Sequence, residues 1–189
     1  LIDQKKYEFE DNVVINNPNY KIRSDMMDYY LDTELAYFFK QSTIKTDNYN
    51  IFCNKGFYDT KNKIGIFKNE AKITNDERII YGDSIYFDNN LEYASASKNI
   101  RIIDKKENLI IRGDYAEIFE KIDSALITIN PVAINITKSD SLFIKADTLF
   151  SIGKENNRKV IGYDNVKFIK GTMSGKSDKI EIDKSLGLT

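Results

Sequence analysis

The chain has 189 residues, 41% of them hydrophobic and 30% charged, and its charges nearly cancel to a formal −1. That is enough apolar material for a packed core, and no global field draws the chain toward nucleic acid or anionic membranes. It contains no His, no Trp and one Cys, which excludes His/Cys zinc sites and every Ser-His or Cys-His catalytic pair within the chain. Cys53 has no partner for an intramolecular disulfide and reads as a small apolar side chain in a strand. No run approaches the roughly 18 uninterrupted apolar residues of a membrane-spanning helix.

In chain order, residues 1–10 read as an N-terminal extension, flexible if it lies outside the fold, and residues 11–189 as one domain. Six segments then stack on one another: "IRSDMMDYYLDTELAYF" (22–38), "IFCNKGFYDTKNKIGIF" (51–67), "IYGDSIYFDNNLEYASA" (80–96), "IRGDYAEIFEKIDSALI" (111–127), "IKADTLFSIGKENNRKVIG" (144–162) and "MSGKSDKIEIDKSLGL" (173–188). A small residue followed by Asp, or Asn in the second copy, anchors each one. The anchors Asp25, Asn54, Asp83, Asp114, Asp147 and Asp178 stand 29, 29, 31, 33 and 31 residues apart. A small residue follows the anchor by 11 in the first four copies, at Ala36, Gly65, Ala94 and Ala125. Such regular self-similarity is the signature of a repeat architecture.

Between the anchors the apolar period is 2. Ile100 and Ile102 alternate with Asn99 and Arg101, Val132, Ile134 and Ile136 with Ala133 and Asn135, and Val166 and Phe168 with Lys167. This is half-buried strand patterning, and "DTKNK", "DNN", "DKKEN" and "GKENN" supply the turns. "SDMMDYYLDTELAYFF" has a helical look, but its register matches later copies that read as strand. The expected fold is all-β and elongated, about six ~30-residue repeats of short strands that bury their apolar face only when stacked. The repeated Asp residues read as turn caps. Arg112-Gly113-Asp114 reads as one more repeat anchor behind a variable residue, not as an adhesive tripeptide at a loop tip.

The repeated "GDSIYFDNNLEYASASKNIRIID" and "ADTLFSIGKENNRKVIGYDNVKFIKGTMSGKSDKIEID" resemble the OstA/LptA-like domain of lipopolysaccharide transport, in the form found in the OstA-like proteins of Bacteroidetes. The resemblance covers nearly all of residues 11–189; Asn54 in place of Asp is its main departure. It implies a twisted β-jellyroll, V-shaped in section, whose apolar groove shields lipid A acyl chains in the periplasm. It also implies end-to-end stacking with like domains, or head to tail with copies of itself. The implied protein is non-catalytic and needs no cofactor. An acyl chain of about 14 carbons costs on the order of 10 kcal/mol in water, at ~0.8 per CH₂, so crossing an aqueous space demands such a shield.

The groove candidates are Ile73, Ile85, Phe87, Ile100, Ile102, Ile111, Ile118, Ile134, Ile136, Ile144, Val166, Phe168, Ile180 and Ile182. A one-residue slip of register would turn any of them outward. The main alternative is a surface adhesin or carbohydrate-binding β-solenoid, which predicts a filled dry core and aromatic residues on the wet face. A carboxylate-pair glycosidase and a nucleic-acid binder are weaker: the Asp residues recur at repeat anchors, and opposing carboxylates balance the basic runs.

Overall fold

The computed structural model describes residues 5–136, 140–153 and 157–183. Sixteen antiparallel strands form one sheet. They are β1 (Lys6–Asn17), β2 (Tyr20–Tyr30), β3 (Leu35–Phe38), β4 (Ser42–Thr46), β5 (Asn50–Cys53), β6 (Lys55–Asp59), β7 (Ile64–Thr74) and β8 (Arg78–Asp88). They continue with β9 (Tyr93–Asp104), β10 (Leu109–Phe119), β11 (Ser124–Thr128), β12 (Val132–Asn135), β13 (Leu142–Lys145), β14 (Thr148–Ile152), β15 (Lys159–Lys170) and β16 (Met173–Asp183). The stretch with a helical look is β2 and β3. Residues 6–10, grouped above with the extension, are the first half of β1 and pair with Met26–Tyr30.

The strands make twelve rungs, because β3 with β4, β5 with β6, β11 with β12 and β13 with β14 each form one interrupted rung. Each repeat therefore contributes two rungs. At ~4.8 Å per rung the stack is about 50–55 Å long.

Every rung is disturbed at its middle, and the disturbances line up. Register shifts fall between Glu10 and Val13, Lys68 and Ala71, Tyr81 and Ser84, Gly113 and Tyr115, and Tyr163 and Val166. On five alternate rungs two consecutive residues adopt positive φ: Asp11–Asn12, Asn69–Glu70, Lys98–Asn99, Ile129–Asn130 and Asp164–Asn165. The neighbouring rungs carry the repeat anchor at the same level. Two residues against one is a β-bulge, and bulges bend strands. The anchors thus mark a bend line and do not cap turns as the sequence suggested. Their amides bond across it: Asp114 N–H donates to Ile129 O at 2.9 Å and Asp147 N–H to Asp164 O at 2.9 Å. Their carboxylates accept from the next rung, Asp83 from Asn99 at 2.9 Å, Asp114 from Asn130 at 3.2 Å and Asp147 from Asn165 at 2.6 Å. In the second copy the amide of Asn54 bonds Asn69 O at 3.0 Å and Glu70 at 3.3 Å.

The bend divides the sheet into two walls. The first holds the half-rungs that meet at the turns after Asn17, Thr46, Thr74 and Asp104. The second holds those that meet after Tyr30, Asp59, Asp88 and Phe119. Asx-type bonds shape the tip turns. Asp88 accepts from the amides of Asn90 and Leu91 at 3.0 Å each, and Asp59 from that of Asn62 at 2.7 Å.

Candidate functional site

The space between the walls is where the two apolar faces meet. On the first wall, strand register places Ile15, Ile22, Ile44, Ile51, Ile73, Ile80, Ile102 and Ile111 opposite one another in an unbroken isoleucine ladder, continued by Ala133, Ile144 and Phe168. On the second wall one row alternates large and small: Tyr29, Ala36, Tyr58, Gly65, Phe87, Ala94, Ile118, Ala125. This alternation accounts for the small residue that recurs eleven places after the first four anchors. At Gly65 a Cβ would lie 2.5 Å from the Phe67 ring, so the space is already filled.

Of the sequence candidates, Ile73, Ile102, Ile111, Ile144 and Phe168 belong to the first-wall ladder. Ile85, Phe87, Ile118, Ile180 and Ile182 line the second wall, and Ile100 and Val166 sit inward beside the bend. Two do not join them. Ile134 faces outward and is half-buried, and Ile136 is 45% exposed. Ala133 is the inward residue there, held between Ile111 and Ile144. The larger side chains of "PVAINIT" suggested the opposite register. Ile22, Ile44, Ile51 and Ile80 were missed although the repeat carries them at equivalent places.

The interior is closed. Nearly all inward residues from Ile22 to Val166 are almost fully buried, and the Tyr49 ring on the first wall meets Phe87 on the second at 4.9 Å. A cavity between them, lined by Ile73, Ile80, Ala94 and Glu120, holds about 10 Å³, room for one water at most. Cys53 lies in this core, and burial pushes its thiol up to about 12.

What closes the mouth is of a different kind from what closes the bend. Among the described residues, the backbone bonds between turns run along each wall, as from Lys105 N–H to Glu77 O and from Glu120 N–H to Glu92 O. Side chains cross from wall to wall. Arg78, at a first-wall turn, reaches Glu120 at 3.7 Å and contacts Asp123, both at second-wall turns. Arg158, on the second wall, reaches back to Asp104 on the first at 3.0 Å and holds Asp123 at 3.2 Å. Asn75 donates to Glu120 at 3.4 Å.

These five charged groups form a buried clasp. Burial raises the Glu120 carboxyl above the usual range, with Arg78 opposing, and lowers Arg78. Asp123 Oδ2 and Arg158 Nε find no hydrogen-bond partner among the described residues. A buried ionic network that is only partly satisfied contributes little net stability against its desolvation cost. The clasp therefore adds little to the packing of the two apolar faces, and among the described residues no backbone bond joins the turns of one wall to those of the other. Toward the N-terminal end the mouth instead widens into a polar pocket of about 370 Å³, lined by Tyr20, Glu34, Thr46, Tyr58, Thr60 and Asn89 among others.

Residues 3–81 match the family model described as OstA-like protein. This segment is OstA-like. The match supports an OstA-like assignment for the chain, and beyond Tyr81 the described rungs continue the bend to β16, the first-wall ladder to Phe168 and the large–small row to Ala125. Of the clasp, only Arg78 falls inside the matched residues. No curated protein matches the chain.

Proposed function

We propose that the chain is a non-catalytic lipopolysaccharide-binding protein of the periplasm that takes lipid A acyl chains between its two walls. The observation that carries this reading is the asymmetry of closure. One side of the apolar interior is closed by the chain itself, which runs through the bend on every rung. The other, among the described residues, is closed by side chains, the packed apolar faces and a partly satisfied ionic clasp. Parting the mouth exposes the isoleucine ladder as a trough, with the sugars left outside. The OstA-like segment supports the same role, and the end strands extend it: among the described residues β1 pairs only with β2, and β16 only with β15. Free sheet edges are templates for strand addition, so like domains, or copies of this chain, stack end to end and prolong the trough.

A test joins the walls. In a N75C/E120C variant, a short thiol-cleavable bis-maleimide links the two tips across the mouth. The account expects the linked protein to lose binding of fluorescent lipopolysaccharide and to regain it on cleavage. Binding that is indifferent to the link, or absent in every form, contradicts it.

Two observations favour a second reading, glycan recognition on the outer face of the second wall. The interior is filled. Aromatic rings also cluster outside, Tyr37 with Tyr30 and Phe57 at 5.6 and 5.9 Å, and Tyr93 with Tyr86 and Phe119 at 6.1 and 5.3 Å. Lipopolysaccharide that is bound equally well after removal of its acyl chains would favour this second reading.

A further inference from the structure

The outer face of the first wall carries two adjoining cross-strand rows that the interior does not use. In one, Arg101 stands directly opposite Arg112, Lys145 opposite Lys167, and Lys167 opposite Lys176. Like charges directly opposite one another destabilise a sheet. No carboxylate stands in this row from Lys72 to Lys176 to relieve them. The nearest carboxylates lie two residues away at the bend: Glu70, Asp83, Asp114 and Asp147 are engaged by Asn54, Asn99, Asn130 and Asn165, and Asp178 stands two residues from Lys176.

The second row lies two residues toward the tips on the same face and runs Ile79, Ile103, Ile110, Ile134, Phe143, Ile169. Phe143 is 45% exposed and Ile169 54%, with Ile136 exposed beside them. An apolar stripe beside a row of like-charged cations, on one wall, is the composition of an interfacial surface.

We propose that this outer face seats on an anionic lipid surface. Phe143, Ile169, Ile134 and Ile136 enter the headgroup layer, while Lys145, Lys167, Lys176 and Arg112 lie along lipid phosphates. Charge complementarity selects this occupant: a row of like-charged cations gains most from a dense layer of phosphates. The face is turned away from the interior, so the proposal stands apart from the acyl-chain reading.

The test is co-sedimentation of the full chain with vesicles of phosphatidylglycerol and phosphatidylcholine, against vesicles of phosphatidylcholine alone. The expected result is retention on the anionic vesicles only, weakened by salt. K145E/K167E should lower the partition coefficient by more than about tenfold. F143S/I169S should lower it comparably, with an unchanged β-sheet circular dichroism spectrum. Equal retention on neutral vesicles, no retention at all, or retention that survives both variants overturns the proposal. So does a fall in light-scattering mass on F143S/I169S, which would show that the stripe joins copies of the chain.

Discussion

Ile129 holds φ at 59° in the first position of its bulge, where the other copies carry Asp11, Asn69, Lys98 and Asp164. A β-branched residue in the left-handed region is strained, at a cost of roughly 1–2 kcal/mol. I129N should therefore stabilise the protein by about 1 kcal/mol, read as a higher urea midpoint at unchanged slope. Gly113 is constrained differently: a Cβ there would lie 2.6 Å from Ile127 Cγ2. G113A should cost about 1–3 kcal/mol from overpacking, whereas R112A, at an exposed position, should stay within about 0.5 kcal/mol of wild type in thermal unfolding. A receptor-type RGD would show the reverse pattern in an adhesion assay, with Arg112 indispensable. The anchor Asp was legible because it recurs at near-constant spacing. Its partners Asn99, Asn130 and Asn165 recur almost as regularly, but Asn is common in turns, and nothing in their spacing joins the two series.

At the scale of the element, period-2 alternation identified the strands well and their faces less well. It failed at β12, where Val132, Ile134 and Ile136 outweigh Ala133 in size, yet pairing with β10 and β13 fixes Ala133 inward. Register is a property of the pair of strands, and the bulges shift it by one residue at mid-rung. The clasp was not legible at all, since Arg78 and Arg158 sit in charged turn sequences that read as solvated. Its titration gives a signed prediction. Glu120 is held above its ordinary value of 4.5 in the fold, chiefly by burial. The folded protein then binds this proton more readily than the unfolded chain. Glu120's contribution is full below its unfolded pKa and is lost as pH rises through its folded one. The Tm of wild type relative to E120Q should therefore rise on acidification from pH 7 toward about 5. A difference that is flat in pH would show that Glu120 does not titrate within the clasp.

At the scale of the whole molecule, the described residues form twelve rungs bent at one line, a long apolar interior whose first and last rungs each have one neighbour among them. The repeat and the all-β class were legible because the stack repeats one pattern many times. That the walls meet was not, because whether two apolar faces enclose a trough or pack together depends on the angle at the bend. Such end rungs predict assembly: light-scattering mass should increase with protein concentration, and a mass that stays monomeric throughout would count against stacking. Site-specific photo-crosslinking in a lipopolysaccharide-producing envelope tests whether acyl chains enter between the walls. With a benzophenone amino acid at Phe87, on the inner face, the account predicts a lipopolysaccharide adduct, and with the same group at the outward-facing Tyr115 it predicts none. Adducts at Tyr115 without any at Phe87 would contradict it.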